Sequence, residues 1–398
     1  WNKVWVNETG RPIVENMIQY DGGKIKSFII SQHPEYGIED KIWQQNIVLS
    51  LYYKDTIKSF NINLSKSKQA VKQVEGLEKP LFVLLNASGI GYGVFQIDTS
   101  ICDNFSLLKD PLNRATSYIE LYENMLEQKA ITPKKLLKFY GKQLNNEATE
   151  LNLRLIASYL SSIYWEFISQ QNRLIETQEL EDIIWHALQN QRRTNNKKIL
   201  FECYESIFQT KDAYQKLYDI WQNQRPPEGI VLTEDDYTSL ALSLALRNND
   251  NAQLLNKQLA RIKNPDRINR FKIIMQAASS NKDIRDQFFN SLSQKENRTN
   301  ESAIGSALIY LHHPLRQNTS VAYLKKSLDL LEEIQKTGDI FFPDSWLKAT
   351  FYNYQNPDAM QIVEDFIKTH QNYNDVLKNK ILQATDNLRR TQNLLNNQ

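Results

Sequence analysis

The sequence is poor in the residue types from which metal sites and covalent catalytic sites are built. Its 398 residues include two cysteines, Cys102 and Cys203, and five histidines. The cysteines lie too far apart in the chain to suggest a metal-binding pair or a disulfide framework, so we expect two free residues packed in the core. The histidines form neither H-E-x-x-H nor H-x-x-E-H, the helical arrangements that bind zinc beside a general base. The sequence therefore predicts no metal ligand.

Two of the histidines are adjacent, in the stretch His312-His313-Pro314. Side chains of neighbouring residues point about 100° apart on a helix, so such a pair seldom shares one metal ion. A proline directly after the pair is typical of a point where a helix has just ended. We therefore interpret the two histidines as polar or cationic groups near the last carbonyls of a helix.

Motifs for nucleophilic and nucleotide chemistry are missing as well. The sequence contains no G-x-S-x-G elbow, no Gly-Lys-Ser/Thr phosphate loop and no catalytic signature around either cysteine. The carboxylate pair Asp235-Asp236 is interpreted as a solvated helix start, and the pair Glu332-Glu333 as a solvated helix face. The residues by themselves predict no catalytic, cofactor-binding or metal-binding position.

Charge and hydropathy argue against two classes of partner. The formal net charge is +2, without the basic excess that is typical of a general nucleic-acid surface. No stretch approaches the roughly 18 consecutive apolar residues that indicate a membrane-spanning helix. We therefore expect neither nucleic acid nor a membrane among the partners, and the compartment is left open.

Glycine is scarce except at the beginning of the chain, where eight of the twelve glycines fall within residues 1–98. That part consists of short apolar stretches separated by turn signals such as Asp21-Gly22-Gly23, which predicts about seven strands in a small antiparallel sandwich. A chain of this length is expected to form two or three domains. We predict a β-sandwich domain over residues 1–98 and a helical domain over residues 99–398.

A run of alternating glycines lies near the end of the predicted sandwich, in PLFVLLNASGIGYGVFQID. The spacing differs from the dinucleotide motif G-x-G-x-x-G because Val94 occupies the place of the third glycine, and the residues that follow have strand composition. Asn and Gly tolerate the positive φ of a tight turn. The stretch therefore predicts a hairpin with strands at 82–85 and 92–97 and a turn at 86–91.

The remainder of the chain has helical periodicity and recurrent helix-start signals. A capping residue precedes proline at four places, and Thr233 with Asp236 three residues later predicts a capping box. The four pairs are Asp110-Pro111, Thr132-Pro133, Asn264-Pro265 and Asn356-Pro357. Helices joined by short polar links over three hundred residues predict stacked antiparallel pairs, although no strict sequence period is visible. The predicted fold is a small antiparallel β-sandwich followed by a large all-α superhelical, HEAT-like domain.

The order of these parts resembles the C-terminal half of zinc aminopeptidases of the aminopeptidase N family. WVNETGRP is similar to the W-x-x-x-x-G-x-P that opens the sandwich of that family. LNASGIGY is similar to its LN-x-x-G-x-G-Y, and DPLNRA to the first helical motif D-P-L-x-R-A. Three later segments resemble the family in the same order: LIYLHHPLRQ, LDLLEEIQKTGDIFFPDSWL and FIKTHQNYNDVLKNKILQATDNLRR.

The resemblance implies that the zinc motif H-E-x-x-H, the G-x-M-E-N loop and the catalytic tyrosine belong to a thermolysin-like domain preceding Trp1. No position of this sequence matches those motifs, so no catalytic residue is carried over. The implied partners are that upstream domain and the peptide substrates of the parent enzyme. The sandwich would act as a spacer, and the helical domain would close the substrate chamber. Arg114, His312 and Arg316 are candidates for residues that face such a chamber.

A second hypothesis needs no parent enzyme. A free-standing sandwich with a helical-repeat domain could bind a protein or peptide on its concave face, as solenoids commonly do. An upstream zinc domain would rule this hypothesis out. A native gene that begins at or near Trp1 would favour it.

Overall fold

The computed structural model describes residues 4–5, 9–37 and 41–395. Its strands precede its helices, which confirms the predicted class of a small sandwich followed by a large helical domain. Two compact units, Trp1–Tyr159 and Leu160–Gln398, divide the chain. The predicted domain limits of 98 and 99 follow the change from strands to helices rather than this division, and they stay a prediction.

Two sheets make up the sandwich. The first sheet has the strand order β5-β2-β1-β7, and the second has the order β4-β3-β6. The strands are β1 (Pro12–Asp21), β2 (Lys24–Pro34), β3 (Gln45–Tyr52), β4 (Ile57–Leu64), β5 (Lys68–Ala70), β6 (Phe82–Leu84) and β7 (Val94–Phe95). Alternating apolar side chains of both sheets meet in one core, in which Phe28, Leu49 and Leu64 are fully buried.

The predicted hairpin at Gly22-Gly23 is confirmed. β1 and β2 are antiparallel neighbours, and both glycines have positive φ, 55° and 80°. Two consecutive residues with positive φ are what a tight two-residue hairpin turn needs, because its twist then matches that of the strands.

The hairpin predicted for residues 82–97 is wrong. β6 pairs antiparallel with β3, whereas β7 pairs parallel with β1 in the other sheet. The glycine stretch is thus a crossover between the two sheets of the sandwich. Both short strands are buried throughout, so they lack the polar alternation that would have indicated a partner.

The glycines of this crossover are required by close contacts. A Cβ at Gly91 would lie 2.6 Å from the ring of Phe95, and one at Gly93 would lie 2.5 Å from the carbonyl oxygen of Pro12. Gly93 also has a φ of 133°, a conformation that residues with a Cβ rarely adopt. The chain can therefore pass between the sheets only where side chains are missing.

Helices follow from residue 111 onward. The first unit contains α1 (Pro111–Leu126), α2 (Pro133–Leu144) and most of α3 (Glu150–Ser162). The second unit contains α4 (Gln170–Asn190), α5 (Thr194–Ile207), α6 (Lys211–Asn223), α7 (Glu234–Leu246), α8 (Ala252–Arg261), α9 (Pro265–Ala278), α10 (Lys282–Ser291), α11 (Glu301–Leu311), α12 (Gln317–Ser320), α13 (Leu324–Asp329), α14 (Leu331–Thr337), α15 (Phe342–Thr350), α16 (Pro357–Thr369), α17 (Asp375–Ala384) and α18 (Asp386–Leu395). No helix in the described part of the chain combines the length and the apolar character needed to cross a bilayer.

All five predicted helix starts are confirmed. In each case the side chain of the capping residue accepts a hydrogen bond from a backbone N–H of the first turn. At α7 the capping box is complete, because Thr233 accepts from the N–H of Asp236 and the Asp236 carboxylate accepts from the N–H of Thr233. These bonds satisfy backbone donors that have no partner within the helix.

Helix ends in the second unit are held by arginines from later helices. Arg261 donates to the carbonyls of Trp221 and Gln222 at 2.8 and 2.9 Å, across 40 and 39 residues. Arg316 donates to those of Ala277 and Ala278 at 2.7 and 2.6 Å, across 39 and 38 residues. The recurring separation is close to the length of one HEAT-type helix pair. The repeat is thus present in the contacts although no strict period is visible in the sequence.

Candidate functional site

Cys102 and Cys203 are not joined by a disulfide, as predicted. Cys203 is buried in the core, while Cys102 is half-buried. Burial raises the pKa of each thiol to about 12. Both groups are therefore fully protonated at neutral pH and lack the thiolate character of a nucleophile or a metal ligand.

The predicted helix end at His312 is confirmed, since α11 ends at Leu311. Of the two roles predicted for the pair, polar or cationic, the structure contradicts the cationic one. His312 is 0% exposed, and its Nδ1 lies 2.9 Å from the hydroxyl of Tyr354. Burial lowers the pKa of His312 to about 3 and that of His313 well below its usual range. Both imidazoles are therefore neutral in the folded protein.

The candidates for chamber-facing residues have structural partners instead. His312 is fully buried and Arg316 is 9% exposed, so neither presents a free polar group to a chamber. Arg114 binds both carboxylate oxygens of Glu147 at 2.8 and 2.9 Å and also donates to the carbonyls of Leu108 and Lys109. The two arginines therefore hold a helix end and a loop in place, and His312 pairs with Tyr354.

A groove in the second unit has better features for binding. It lies between α7, α9 and α11 and has a volume of about 510 Å³. We call it the α7–α9–α11 groove. Its apolar wall consists of Leu242, Ile262, Phe271, Ile274 and Ile309. Concave, mostly apolar clefts with a few converging polar groups are the usual form of ligand sites.

Hydroxyl groups line this groove, and one of them donates to a buried carboxylate. Ser239 and Tyr310 line it, and the Ser239 hydroxyl donates to the carboxylate of Glu205 at 2.8 Å. Ser243 donates to the same oxygen at 2.9 Å. Burial raises the pKa of Glu205 to about 7, although the two serine hydrogen bonds act in the opposite direction. This carboxyl group is consequently half protonated near neutral pH.

Two arginines on α9 line the groove and differ in their partners. Arg267 binds the carboxylates of Glu234 and Asp235 at 3.1 and 2.9 Å. Arg270 donates to the Ser306 hydroxyl at 2.8 Å and has no carboxylate partner among the described residues. A ligand with an apolar body and an anionic group could therefore pack on the apolar wall and pair with Arg270.

Sequence reasoning missed this groove because its residues form no motif. Ser239, Arg270, Ser306 and Tyr310 come from three helices. They share only the helical spacing that surface residues of any helix show. No group of three His, Cys, Asp or Glu side chains within residues 4–5, 9–37 and 41–395 is placed to hold a metal ion.

Glu205→Gln should make the stability of the protein less dependent on pH between 5 and 8. The folded-state pKa of Glu205 is raised, so its stabilising contribution is complete below the unfolded pKa and is lost as the pH rises through about 7. Glutamine can still accept from the serines but does not ionise. Urea denaturation measures the free energy of unfolding, which should decline as the pH rises from 5 to 8. The decline should be smaller in the variant by on the order of 2 kcal/mol. The exposed Glu228→Gln variant is the control, and an equal decline in both variants would contradict the assignment.

Comparison with known proteins adds no relative: no family model matches the sequence, and no curated protein matches it. The similarity to the aminopeptidase N family therefore depends on the segments quoted above and on their order.

Proposed function

We propose that this chain is the non-catalytic C-terminal region of a zinc-dependent aminopeptidase that removes N-terminal residues from peptides. The sandwich serves as a spacer, and the helical domain closes the substrate chamber and limits access to it. The observation that carries the proposal is the order of the family-like segments along a chain that folds as a sandwich followed by packed helices. The second of these segments forms most of the crossover between the two sheets, and the third forms the cap and first turn of α1.

The family-like residues of these two segments have structural tasks, as expected of a spacer. Asn86 in LNASGIGY accepts from the backbone N–H of Gly91 at 2.9 Å and thereby closes the crossover loop. Asp110 in DPLNRA accepts from the N–H of Leu112 and caps α1. Arg114 of the same segment anchors α1 to Glu147. Residues 6–8 of the first segment lie outside the described part of the chain.

Further contacts join α1 to the sandwich within the first unit. Arg11 binds Glu123 at 2.7 Å, and Lys129 binds Glu15 at 2.7 Å. Beside them, Asn124 of α1 donates to the carbonyl of Phe95 in β7. Charged pairs together with a buried amide hold the helix in one orientation against the sheet, which suits a rigid spacer.

The proposal assigns no chemical step to this chain. In such an enzyme the metal ion would activate the attacking water in the upstream domain. The described residues of this chain offer no ligand set that fits zinc. Their part is to position that domain and to form a wall, in which the α7–α9–α11 groove could hold a peptide with its carboxylate at Arg270.

The first test is the native coding sequence upstream of Trp1. The proposal requires an H-E-x-x-H motif with a second glutamate downstream of it. An unrelated upstream domain, or a start codon directly before Trp1, would overturn the proposal. It would leave the free-standing peptide-binding scaffold, for which the α7–α9–α11 groove is the candidate surface.

The second test uses the purified chain. Dialysed against zinc, it should retain no stoichiometric metal by elemental analysis. It should also release no fluorophore from aminoacyl-coumarin amides above the buffer rate, because the catalytic motifs are absent from its sequence. Binding of one equivalent of zinc, together with hydrolysis that a chelator abolishes, would contradict the proposal that this chain is non-catalytic.

A further inference from the structure

A second cavity, of about 490 Å³, lies in the first unit where the C-terminal end of α1 faces the sandwich. We call it the α1–sandwich cavity. Its polar lining comes from β1, from the residues that follow β7, and from the end of α1. These residues include Glu15, Asn16, Gln96, Asp98, Asn124 and Lys129. Ile18, Val83 and Ile97 supply the apolar part.

Asn124 is among the lining residues of this cavity and has a buried, unpaired acceptor. The residue is 1% exposed, and its Nδ2 donates to the carbonyls of Phe95 and Glu120 at 2.7 and 2.8 Å. These two bonds fix the orientation of the amide, because a flipped amide would lose both. Its Oδ1 is buried and has no hydrogen-bond partner within the described ranges. A buried acceptor without a donor is costly, and such an atom in the wall of a cavity indicates a place for a donor.

The charges around the cavity leave one carboxylate without a cation. Glu15 binds Lys129 at 2.7 Å and has His33 at 3.6 Å. Asp98 accepts from the backbone N–H and the hydroxyl of Ser100, at 3.0 and 2.7 Å. It forms no ion pair with any residue that the structure describes. The lining thus carries a surplus negative charge at Asp98, whereas the charge of Lys129 is already neutralised.

The backbone at the end of α1 is held in an unusual conformation beside this cavity. Gln128 and Ala130, on either side of Lys129, have positive φ values of 57° and 60°. This conformation costs a residue with a Cβ about 1–2 kcal/mol. Lys129, which lies between these two residues, pairs with Glu15 at 2.7 Å.

We propose that the α1–sandwich cavity binds an organic cation, an alkylammonium or guanidinium group on a short apolar stem. The cationic head donates to the Asp98 carboxylate and to Oδ1 of Asn124, and the stem packs on Ile18, Val83 and Ile97. Such a head supplies several donors and no acceptor, which matches the acceptors left over in the lining. This site is independent of the proposed chamber role, because it lies in the spacer part of the first unit.

Calorimetric titration of the whole chain with n-butylammonium and butylguanidinium tests the proposal. Saturable binding of at least one cation is expected, while the matched neutral butanol and anionic butyrate should not bind. Butyrate binding as tightly as the cations would make Lys129 the anchor and would overturn the proposal. Absence of saturable binding for both cations would overturn it as well. This comparison uses the unaltered protein and depends on no variant folding correctly.

A pair of matched variants locates the site. Asp98→Asn removes the charge but keeps an oxygen that can accept from the Ser100 N–H, and it should weaken cation binding by about tenfold or more. Asp103→Asn makes the same charge change at an exposed position outside the lining and should leave the affinity unchanged. Equal affinities in the two variants would contradict the proposed position of the head group.

The source of the cation is distinguished by a third titration. A lysine blocked by Nα-acetyl and carboxamide groups offers the same head group as part of a peptide. Blocked lysine that binds at least as tightly as butylammonium indicates a protein side chain as the natural ligand. Binding of the free amine alone indicates a small metabolite. In both cases the affinity must fall in the Asp98→Asn variant, and an unchanged affinity there overturns the proposal.

Discussion

Gly93→Ala should lower the free energy of unfolding of the protein by about 4 kcal/mol, one of the largest losses expected for a single methyl group. The new Cβ would lie 2.5 Å from the carbonyl oxygen and 2.8 Å from Cγ of Pro12. The φ of 133° adds backbone strain that only glycine avoids. Because Pro12 opens β1 and Gly93 directly precedes β7, relieving the clash would separate this parallel pair of strands. Chemical denaturation followed by circular dichroism measures the loss.

Gly305→Ala is the matched control for this change. Gly305 lies within α11, and a Cβ added there would meet no atom within 4 Å. Alanine should stabilise the helix by about 0.5–1 kcal/mol, since it loses less conformational entropy than glycine on folding. The same methyl group should therefore have opposite effects at the two positions. If Gly93→Ala proved no more harmful than Gly305→Ala, the crossover between the sheets would be wrongly described.

Glu147→Gln should cost about 3 kcal/mol or more at neutral pH. The Glu147 carboxylate is fully buried and accepts from Arg114 at 2.8 and 2.9 Å and from the backbone N–H of Thr149 at 2.9 Å. Tyr118 and Asn152 donate to it as well, at 3.2 and 3.3 Å. Glutamine has the same size, but it carries no charge and places an N–H₂ group where one acceptor oxygen stood. Arg114 would then have no carboxylate partner.

The pH dependence of the same variant gives an independent test. Burial alone would raise the pKa of Glu147, but hydrogen bonds from Arg114 and Thr149 and the charge of Arg114 outweigh burial and lower it. A lowered folded-state pKa means that the stabilisation is present above the unfolded pKa and is lost as the pH falls through the folded value. Part of the acid sensitivity below the ordinary glutamate range should therefore disappear in Glu147→Gln.

Glu150→Gln is the control for both measurements. Glu150 lies at the start of α3, has a side chain that is 42% exposed, and has Arg154 one turn away at 3.9 Å. Exposed pairs of this kind contribute less than about 0.5 kcal/mol. Similar losses in Glu150→Gln and Glu147→Gln would show that Glu147 is not the centre of this network.

The helix starts and the first hairpin turn were predicted correctly because the interactions that form them join residues close together in the sequence. A capping side chain, a proline in the first turn and two residues with positive φ act within a few residues, and the starts of α1, α2, α7, α9 and α16 and the β1–β2 turn agree with the predictions. The class of a sandwich followed by helices is confirmed for the same reason. It follows from periodicities of two and of about 3.6 residues along each segment.

Contacts between distant residues were beyond such reasoning. In sequence, β6 and β7 resemble two strands of one hairpin, yet they belong to different sheets. The sequence did not indicate this, because both strands are buried and carry no polar alternation. In sequence, His312 and Arg316 resemble exposed polar residues. In the structure His312 contacts the Tyr354 hydroxyl, and Arg316 donates to carbonyls at the end of α9.

The sequence by itself determined where helices begin, where the first hairpin turns and which catalytic motifs are missing, because each depends on neighbouring residues. Only the tertiary structure decided which strands pair and which polar groups are buried, and it left Arg270 and Asp98 without partners of opposite charge among the described residues. These features depend on packing and hydrogen bonds between residues far apart in the chain. Such contacts exist only in the folded molecule.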